Sequence, residues 1–295
     1  MAPSVLMSMA TLAILFTTIN PAHAVCTNPA GLKGEMVYNE DHNAIQYCDD
    51  TNWVVASAGA GAQNVCYNTD EIDKVTNRRT ENMWHDGTYL YRAIDSNGLE
   101  VYSFDGATLS LIDSYDTTGN AEGVHGDGSY VYVADGTSGV AAFSFDGTSL
   151  TYITTYDTPD YAGDVYADGT YIYVADDDTG GLRAYTFNGT TFTEVGNIAT
   201  PDDAHRVTGD GSYIYVTGEN LGVRAYSFNG SSFTYIADYD GGTTTYDMSI
   251  RNGVIFAGSR NSGGYALSFN GTSFTLVDTV GTSAWTYGSV ADAAS

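Results

Sequence analysis

Basic side chains are scarce in this 295-residue chain: 10 Lys and Arg stand against 36 Asp and Glu, a formal charge of −26. A surface of that sign repels phosphate, which excludes a nucleic-acid partner held by counterion release. Proline is sparse at 5 and cysteine at 3, and no Cys-x-x-Cys occurs, which removes a thioredoxin-like redox centre. Three dispersed cysteines are also too few soft ligands for a structural zinc site. Beyond the first 24 residues no run is long and apolar enough to read as a transmembrane helix. Runs of Leu, Lys and Glu are equally rare, which speaks against a helical fold. Neither a Gly-x-Ser-x-Gly elbow nor a phosphate-binding glycine loop is present.

What is abundant is glycine (34), tyrosine (24) and short alternating stretches of Val, Ile, Tyr and Phe. That pattern predicts an all-β fold. The chain opens with an uncharged apolar core, Val5 to Phe16, that ends in Ala22-His23-Ala24. Residues 1–24 therefore read as a secretory signal peptide cleaved before Val25, although no Lys or Arg precedes the core. The expected location is secreted, at the cell surface or in the periplasm, where disulfides form.

Residues 25–58 differ in texture from the rest. "GEMVYN" and "AIQYCDDTNWVVA" alternate like strands and are joined by the turn-forming "EDHN". A unit this small buries little surface, so a Cys26–Cys48 staple is expected, leaving Cys66 as a free thiol or a link between chains. The stretch "YN…QYC-D-D-T-x-W" resembles a hairpin found ahead of repetitive regions in exported bacterial and phage fibre-like proteins, with Asp50 where that hairpin usually has Gly. Residues 59–80 begin with a Gly/Ala/Ser hinge and read as a linker with a candidate closing strand.

From residue 81 the chain repeats. Asp-Gly turns fall at Asp86, Asp127, Asp168 and Asp210, with a weaker Asn252-Gly253, at intervals of 41 or 42 residues. A second marker, Phe-(Asp/Asn)-Gly, keeps the same period at Phe104, Phe145, Phe187, Phe228 and Phe269. Two markers holding one period over five copies define a repeat. Each copy reads as four strands; in the second they are "AEGVHG", "SYVYVAD", "GVAAFSF" and "SLTYITTYD". A four-stranded antiparallel unit of this length is one propeller blade. The prediction is a five-bladed β-propeller over 81–295, with repeats near 81–121, 122–162, 163–203, 204–245 and 246–282. Residues 283–290, "SAWTYGSV", match the start of a further inner strand, so the tail is read as a clasp, against an incomplete sixth blade.

"YVYVADGTSGVAAFSFDG" and "YIYVADDDTGGLRAYTFNG" resemble the LVIVP-type repeat of exported bacterial and archaeal β-propellers, in a divergent form with "GLRAYTF" as third strand. The resemblance covers residues 81 to about 280. It implies a secreted, surface-associated propeller and fixes no substrate.

Positions shared by all copies serve blade building, so function is sought where copies differ. Five residues before each turn stand Glu81, Glu122, Gly163, His205 and Asp247; the next column is Asn82, Gly123, Asp164, Arg206 and Met248. Glu81, Asn82, Glu122, Asp164, His205, Arg206 and Asp247 are thus the candidate ligand-binding residues at one mouth of the channel. Two or three channel carboxylates also suffice for glycoside hydrolysis, with Glu81, Glu122, Asp164 and Asp247 as candidates. A lactonase-like metal site would draw on Glu81, Asn82 and Asp164. Asp176, Asp177 and Asp178 concentrate hard oxygen ligands in one loop, a candidate Ca²⁺ site, as does the set Asp157, Asp160 and Asp164; no other cofactor is expected. Glycosylation sequons at Asn188, Asn229 and Asn270 fall on hairpin turns, where Asn-Gly turn chemistry already explains them. The leading expectation is a non-enzymatic binding, display or structural unit of an extracellular assembly, partnered by itself, by other surface proteins or by glycans. A Ca²⁺-assisted lectin is the alternative, and a hydrolase the least favoured.

Overall fold

The computed structural model describes residues 80–280, apart from 106–107, 178–179, 242–243 and 260–262, together with three strands nearer the N-terminus. The chain divides into two compact units, Met1–Asn77 and Arg78–Ser295. In the first, β1 (Met36–Asn39), β2 (Ala44–Cys48) and β3 (Trp53–Ala58) form an antiparallel sheet in that order. Its first reversal joins Asn39 to Ala44, where "EDHN" predicts it. The signal segment, the Cys26–Cys48 pairing, Cys66 and the linker up to residue 79 lie outside the described residues.

The second unit is a five-bladed β-propeller. Blade I comprises β4 (Asn82–His85), β5 (Tyr89–Ala93), β6 (Leu99–Phe104) and β7 (Leu109–Tyr115). Blade II comprises β8 (Gly123–Gly126), β9 (Val131–Ala134), β10 (Val140–Phe145) and β11 (Leu150–Tyr156). Blade III comprises β12 (Ala162–Ala167), β13 (Ile172–Asp176), β14 (Gly181–Phe187) and β15 (Phe192–Ile198). Blade IV comprises β16 (Ala204–Gly209), β17 (Ile214–Gly218), β18 (Gly222–Phe228) and β19 (Phe233–Tyr239). Blade V comprises β20 (Thr245–Arg251), β21 (Val254–Ser259), β22 (Gly263–Phe269) and β23 (Phe274–Val280). Every blade is a simple antiparallel meander, and the first strands of successive blades lie against one another around the axis.

The turn formula Asp-Gly-x-Tyr-x-Tyr has a local explanation. Asp86 Oδ1 accepts the backbone N–H groups of Thr88 and Tyr89, each at 2.7 Å, while Oδ2 accepts the Tyr91 hydroxyl at 2.9 Å. Asp127, Asp168 and Asp210 repeat all three bonds. A carboxylate that closes its own turn also pins the tyrosine which must pack on the next blade. The Gly that follows carries a positive φ in all four turns.

Packing runs between blades. Tyr89 meets Phe145 edge-on at 5.0 Å, Tyr130 meets Phe187 at 5.0 Å, Tyr171 meets Phe228 at 5.1 Å and Tyr213 meets Phe269 at 5.1 Å. Each pair joins one blade to its successor. Four apolar clusters, each drawn from two adjacent blades, fill the same four interfaces. Edge-to-face pairs add about 0.5–1.5 kcal/mol each beyond burial. The two repeat markers are therefore the two halves of one joint.

Blade V departs from the rule. Its inner turn is a two-residue reversal, Arg251 opposite Val254, with Asn252 and Gly253 both at positive φ (50° and 75°). The other inner turns have the same length, with Asp210 N–H donating to the Tyr213 carbonyl across Gly211 and Ser212, so Arg251 stands where the others have Asp. Val254 and Phe256 stand where blade IV has Tyr213 and Tyr215, as the shared register of Ala257 and Val216 shows.

Candidate functional site

The inner strands carry a one-residue irregularity near their starts. In blades III, IV and V the register skips between Ala162 and Asp164, between Ala204 and Arg206, and between Thr245 and Asp247. Bulges of this kind re-aim side chains. Pairing with the second strand then fixes the true columns. Asn82, Gly123, Asp164, Arg206 and Asp247 face Ala93, Ala134, Ala175, Thr217 and Gly258 respectively, so they share one level. The level above holds Glu81, Glu122, Gly163, His205 and Tyr246. This corrects the sequence alignment in blade V by one residue. Asp247 belongs beside Arg206, Tyr246 belongs beside His205, and Met248 falls with Val124, Val165 and Val207 in the core. The cause is that Asn252-Gly253 sits one position later in its turn than each Asp-Gly pair, so Arg251 holds the place of Asp210 and a count made back from Asn252 is off by one.

The lower level is tied across the axis. Asn82 Nδ2 donates to Asp164 Oδ1 at 3.1 Å, from blade I to blade III. Asp164 Oδ2 accepts Val207 N–H at 3.0 Å. The Arg206 guanidinium donates to the carbonyl oxygens of Gly163 at 3.1 Å and of Glu81 at 3.3 Å, and its Nε lies 3.9 Å from Asp247 Oδ1. Blade II completes the set by being small: a Cβ on Gly123 would sit 2.4 Å from Asp164 Oδ1. All five blades thus converge on one buried carboxylate and one guanidinium. Burial pushes the Asp164 carboxyl up to about 6, against the opposing pull of Arg206 and two backbone N–H groups.

The upper level is more open. Glu122 accepts a short hydrogen bond from the Tyr161 hydroxyl, and burial followed by this contact raises the phenol. His205 stacks on Tyr246 with ring centroids 5.5 Å apart and planes within 15°. Its Nδ1 lies 3.4 Å from Asp177 Oδ1. Two of the three loop acids proposed for Ca²⁺ have partners within the protein. Asp176 is fully buried, with Arg183 Nε at 2.8 Å from Oδ2 and Asp160 N–H on Oδ1, so it clamps its own blade. Asp177 faces His205, and Asp178 lies outside the described residues. Among the described residues, the carboxylates close enough to share a cation are Asp202, Asp203 and Glu219. One oxygen of Asp202 already accepts Asn220 Nδ2 at 2.8 Å. The sequence did not single out these acids, because the two loops that carry them are 15 residues apart.

Further along the inner strands lies an aromatic wall the sequence also missed. Trp84, His125 and Tyr166, from three successive blades, pack together, Trp84 tilted on His125 at 5.1 Å and His125 edge-on to Tyr166 at 5.0 Å. Gly126 and Gly209 leave room for it: a Cβ at either would come within 2.5 or 2.6 Å of Trp84 or Tyr166. His125 Nδ1 accepts Ala167 N–H at 3.3 Å, and burial pushes its pKa down to about 4. The ring is therefore neutral in the fold, while in the unfolded chain it titrates near ~6.5. The stability it contributes is complete above about pH 6.5 and is lost as pH falls toward about 4. Asp164 has the opposite sign, since its raised pKa favours the fold as pH falls from about 6 toward about 4. His125→Gln is expected to reduce the drop in Tm between pH 7 and pH 4.5. Thermal melts of both chains at both pH values measure that difference; equal drops would show that His125 protonates freely in the fold.

No protein-family model matches the sequence, and no curated protein matches it. Solved structures do. A functionally unknown protein from Desulfotomaculum acetoxidans superposes with a TM-score of 0.61 at 12% identity, over 70% of this chain and 72% of that one. A candidate 6-phosphogluconolactonase from Bacteroides uniformis gives 0.59 at 17%, over 88% and 81%. A chain of a nidogen/laminin complex gives 0.54 at 16%, over 70% and 81%. At these identities the likeness establishes the propeller fold.

Proposed function

We propose that the chain is an exported propeller that binds or displays rather than catalyses, with the upper level of its channel as the contact surface. Fold alone does not choose between the lactonase description of one structural neighbour and the laminin complex of another. The reading is carried by how the channel acids are held. A hydrolase needs one carboxyl free to give a proton and another free to receive one, both facing substrate. Here Asp164 accepts from Asn82 and from Val207 N–H beneath Arg206, and Glu122 accepts from Tyr161. Those bonds serve rigidity. The half-buried feature beside them is the His205–Tyr246 stack, flanked by Asp177 and Asp247, a shelf suited to the apolar face of a sugar ring with acids at its rim. That observation favours a glycan over other ligands.

A glycan array probed with the full chain, with Ca²⁺ and with EDTA, tests the reading beside assays on sugar lactones and aryl glycosides. The expected result is binding without turnover, weakened about tenfold by Tyr246→Ala. Binding lost in EDTA would make Asp202, Asp203 and Glu219 the first residues to change. Turnover that disappears in Asp164→Asn would overturn the proposal in favour of a hydrolase.

A further inference from the structure

Blades III and IV carry an arginine at the same place on the third strand: Arg183 opposite Val174, and Arg224 opposite Val216. In blade III two acids hold the guanidinium. Its Nε lies 2.8 Å from Asp176 Oδ2, and Nη1 lies 3.1 Å from each oxygen of Glu194. Asn197 Nδ2 steadies Glu194 by donating to Oε1 at 2.7 Å. Blade IV keeps the cation and has lost both acids. Cross-strand register puts Gly218 where blade III has Asp176, and Tyr235 where it has Glu194.

The half-buried Arg224 guanidinium lies instead over the Tyr235 ring, 5.0 Å from its centroid. Its Nε is enclosed and has no hydrogen-bond partner among the described residues. The cross-strand neighbour Asp238, which stands where blade III has Asn197, is engaged by the Tyr235 hydroxyl. Burial raises the Tyr226 phenol against the pull of the Arg224 charge beside it, so at neutral pH that hydroxyl keeps its proton to donate. Arg92, Arg183 and Arg206 each pair with a carboxylate of the chain, the longest contact being 3.9 Å. Withdrawing a charge from water without a counter-ion is costly. In a chain with 36 acidic and 10 basic side chains, an internal counter-ion is the simplest remedy, and blade III shows where it fits. A guanidinium laid against an aromatic ring still presents its edge, the side that a carboxylate engages with two oxygens.

We propose that Arg224 is the anchor of a binding site for a carboxylate, free or carried on a sugar, which takes on blade IV the place that Glu194 takes on blade III. Tyr235 holds the guanidinium in position. The site lies on the outer strands of blade IV, apart from the His205–Tyr246 shelf, and does not depend on that shelf binding anything. The formal charge of −26 repels a divalent anion about twice as strongly as a monovalent one, which favours a carboxylate over sulfate or phosphate.

The test is an NMR titration of the full chain that follows the Arg224 Nε–H resonance, assigned by its absence in Arg224→Lys. Sodium glucuronate, sodium acetate, glucose and sodium sulfate are added separately at constant ionic strength. The proposal expects a saturable shift with glucuronate and with acetate, and none with glucose. Glucuronate binding about tenfold tighter than acetate identifies a sugar as the carrier, and equal binding places recognition in the carboxyl group alone. Sulfate binding as tightly as acetate would overturn the choice of a carboxylate, and no saturable shift with either carboxylate would overturn the site. Tyr235→Glu supplies the missing internal acid at an exposed position. An Asp at Gly218 is barred, because its Cβ would sit 1.6 Å from the Asp203 carbonyl oxygen. Tyr235→Glu is expected to weaken glucuronate binding about tenfold or more, and an unchanged response would count against the proposal.

Discussion

Arg206→Met is expected to lower stability by about 3 kcal/mol, and adding Asp164→Asn to that variant is expected to restore at least half of the loss. Arg206 is the positive charge that offsets the buried Asp164 carboxylate, and it reaches Gly163 in blade III, Glu81 in blade I and Asp247 in blade V. Removing it leaves a carboxylate enclosed by protein with Asn82 and the backbone N–H groups of Val207 and Val165 on its oxygens. Removing the charge of both partners cancels most of that penalty, because the cost lies in the uncompensated charge. Denaturant melts of the four chains in the cycle give the coupling. Additive effects would mean that Asp164 and Arg206 are independently solvated and that the blades are not joined at this level.

The second large effect concerns a glycine column. Gly139 sits at φ +79°, and a Cβ there would lie 2.1 Å from the backbone oxygen of Tyr156. Gly98, Gly181 and Gly222 repeat this geometry against the carbonyls of Tyr115, Ile198 and Tyr239. The third strand starts so close to the end of the fourth that no side chain fits. Gly139→Ala is therefore expected to cost about 4 kcal/mol, combining left-handed strain with a clash against backbone that cannot move aside. Gly128→Ala is the matched control: its φ is +87°, but the added Cβ would meet nothing within 4 Å. There only the strain remains, about 1 kcal/mol. Thermal denaturation of the two variants separates clash from strain, and equal losses would show that the third strand has room at its start.

Much of the architecture was legible because a period of 41 or 42 residues repeats two chemically distinct turns, and each turn closes on its own carboxylate or amide. The strand limits follow from those closures, so the predicted strands of blade II differ from β8–β11 by only one or two residues at their ends. The site was legible in residue identity but not in level. Asp247, Arg206, Asp164 and Asn82 were all singled out, yet Asn252-Gly253 lies one position later in its turn than the Asp-Gly pairs, which displaced one blade by a residue and hid the pairing of His205 with Tyr246. The Asp176 loop was ambiguous for another reason. Asp is a good Ca²⁺ ligand and an equally good buried partner for a nearby Arg, and the sequence does not reveal that Arg183 lies opposite it. The Trp84–His125–Tyr166 wall left no local signal at all, since it forms between blades whose inner strands are 41 residues apart.

Titration of the Asp164 side-chain carboxyl by carbon-detected NMR tests the central claim, a channel locked at one level by an enclosed acid, more directly than any variant. The account expects a midpoint near 6, moving higher in Arg206→Met as the guanidinium is removed. A midpoint near the ordinary carboxylate value of ~4, unmoved by Arg206→Met, would mean a solvated acid facing an open channel and would contradict the account.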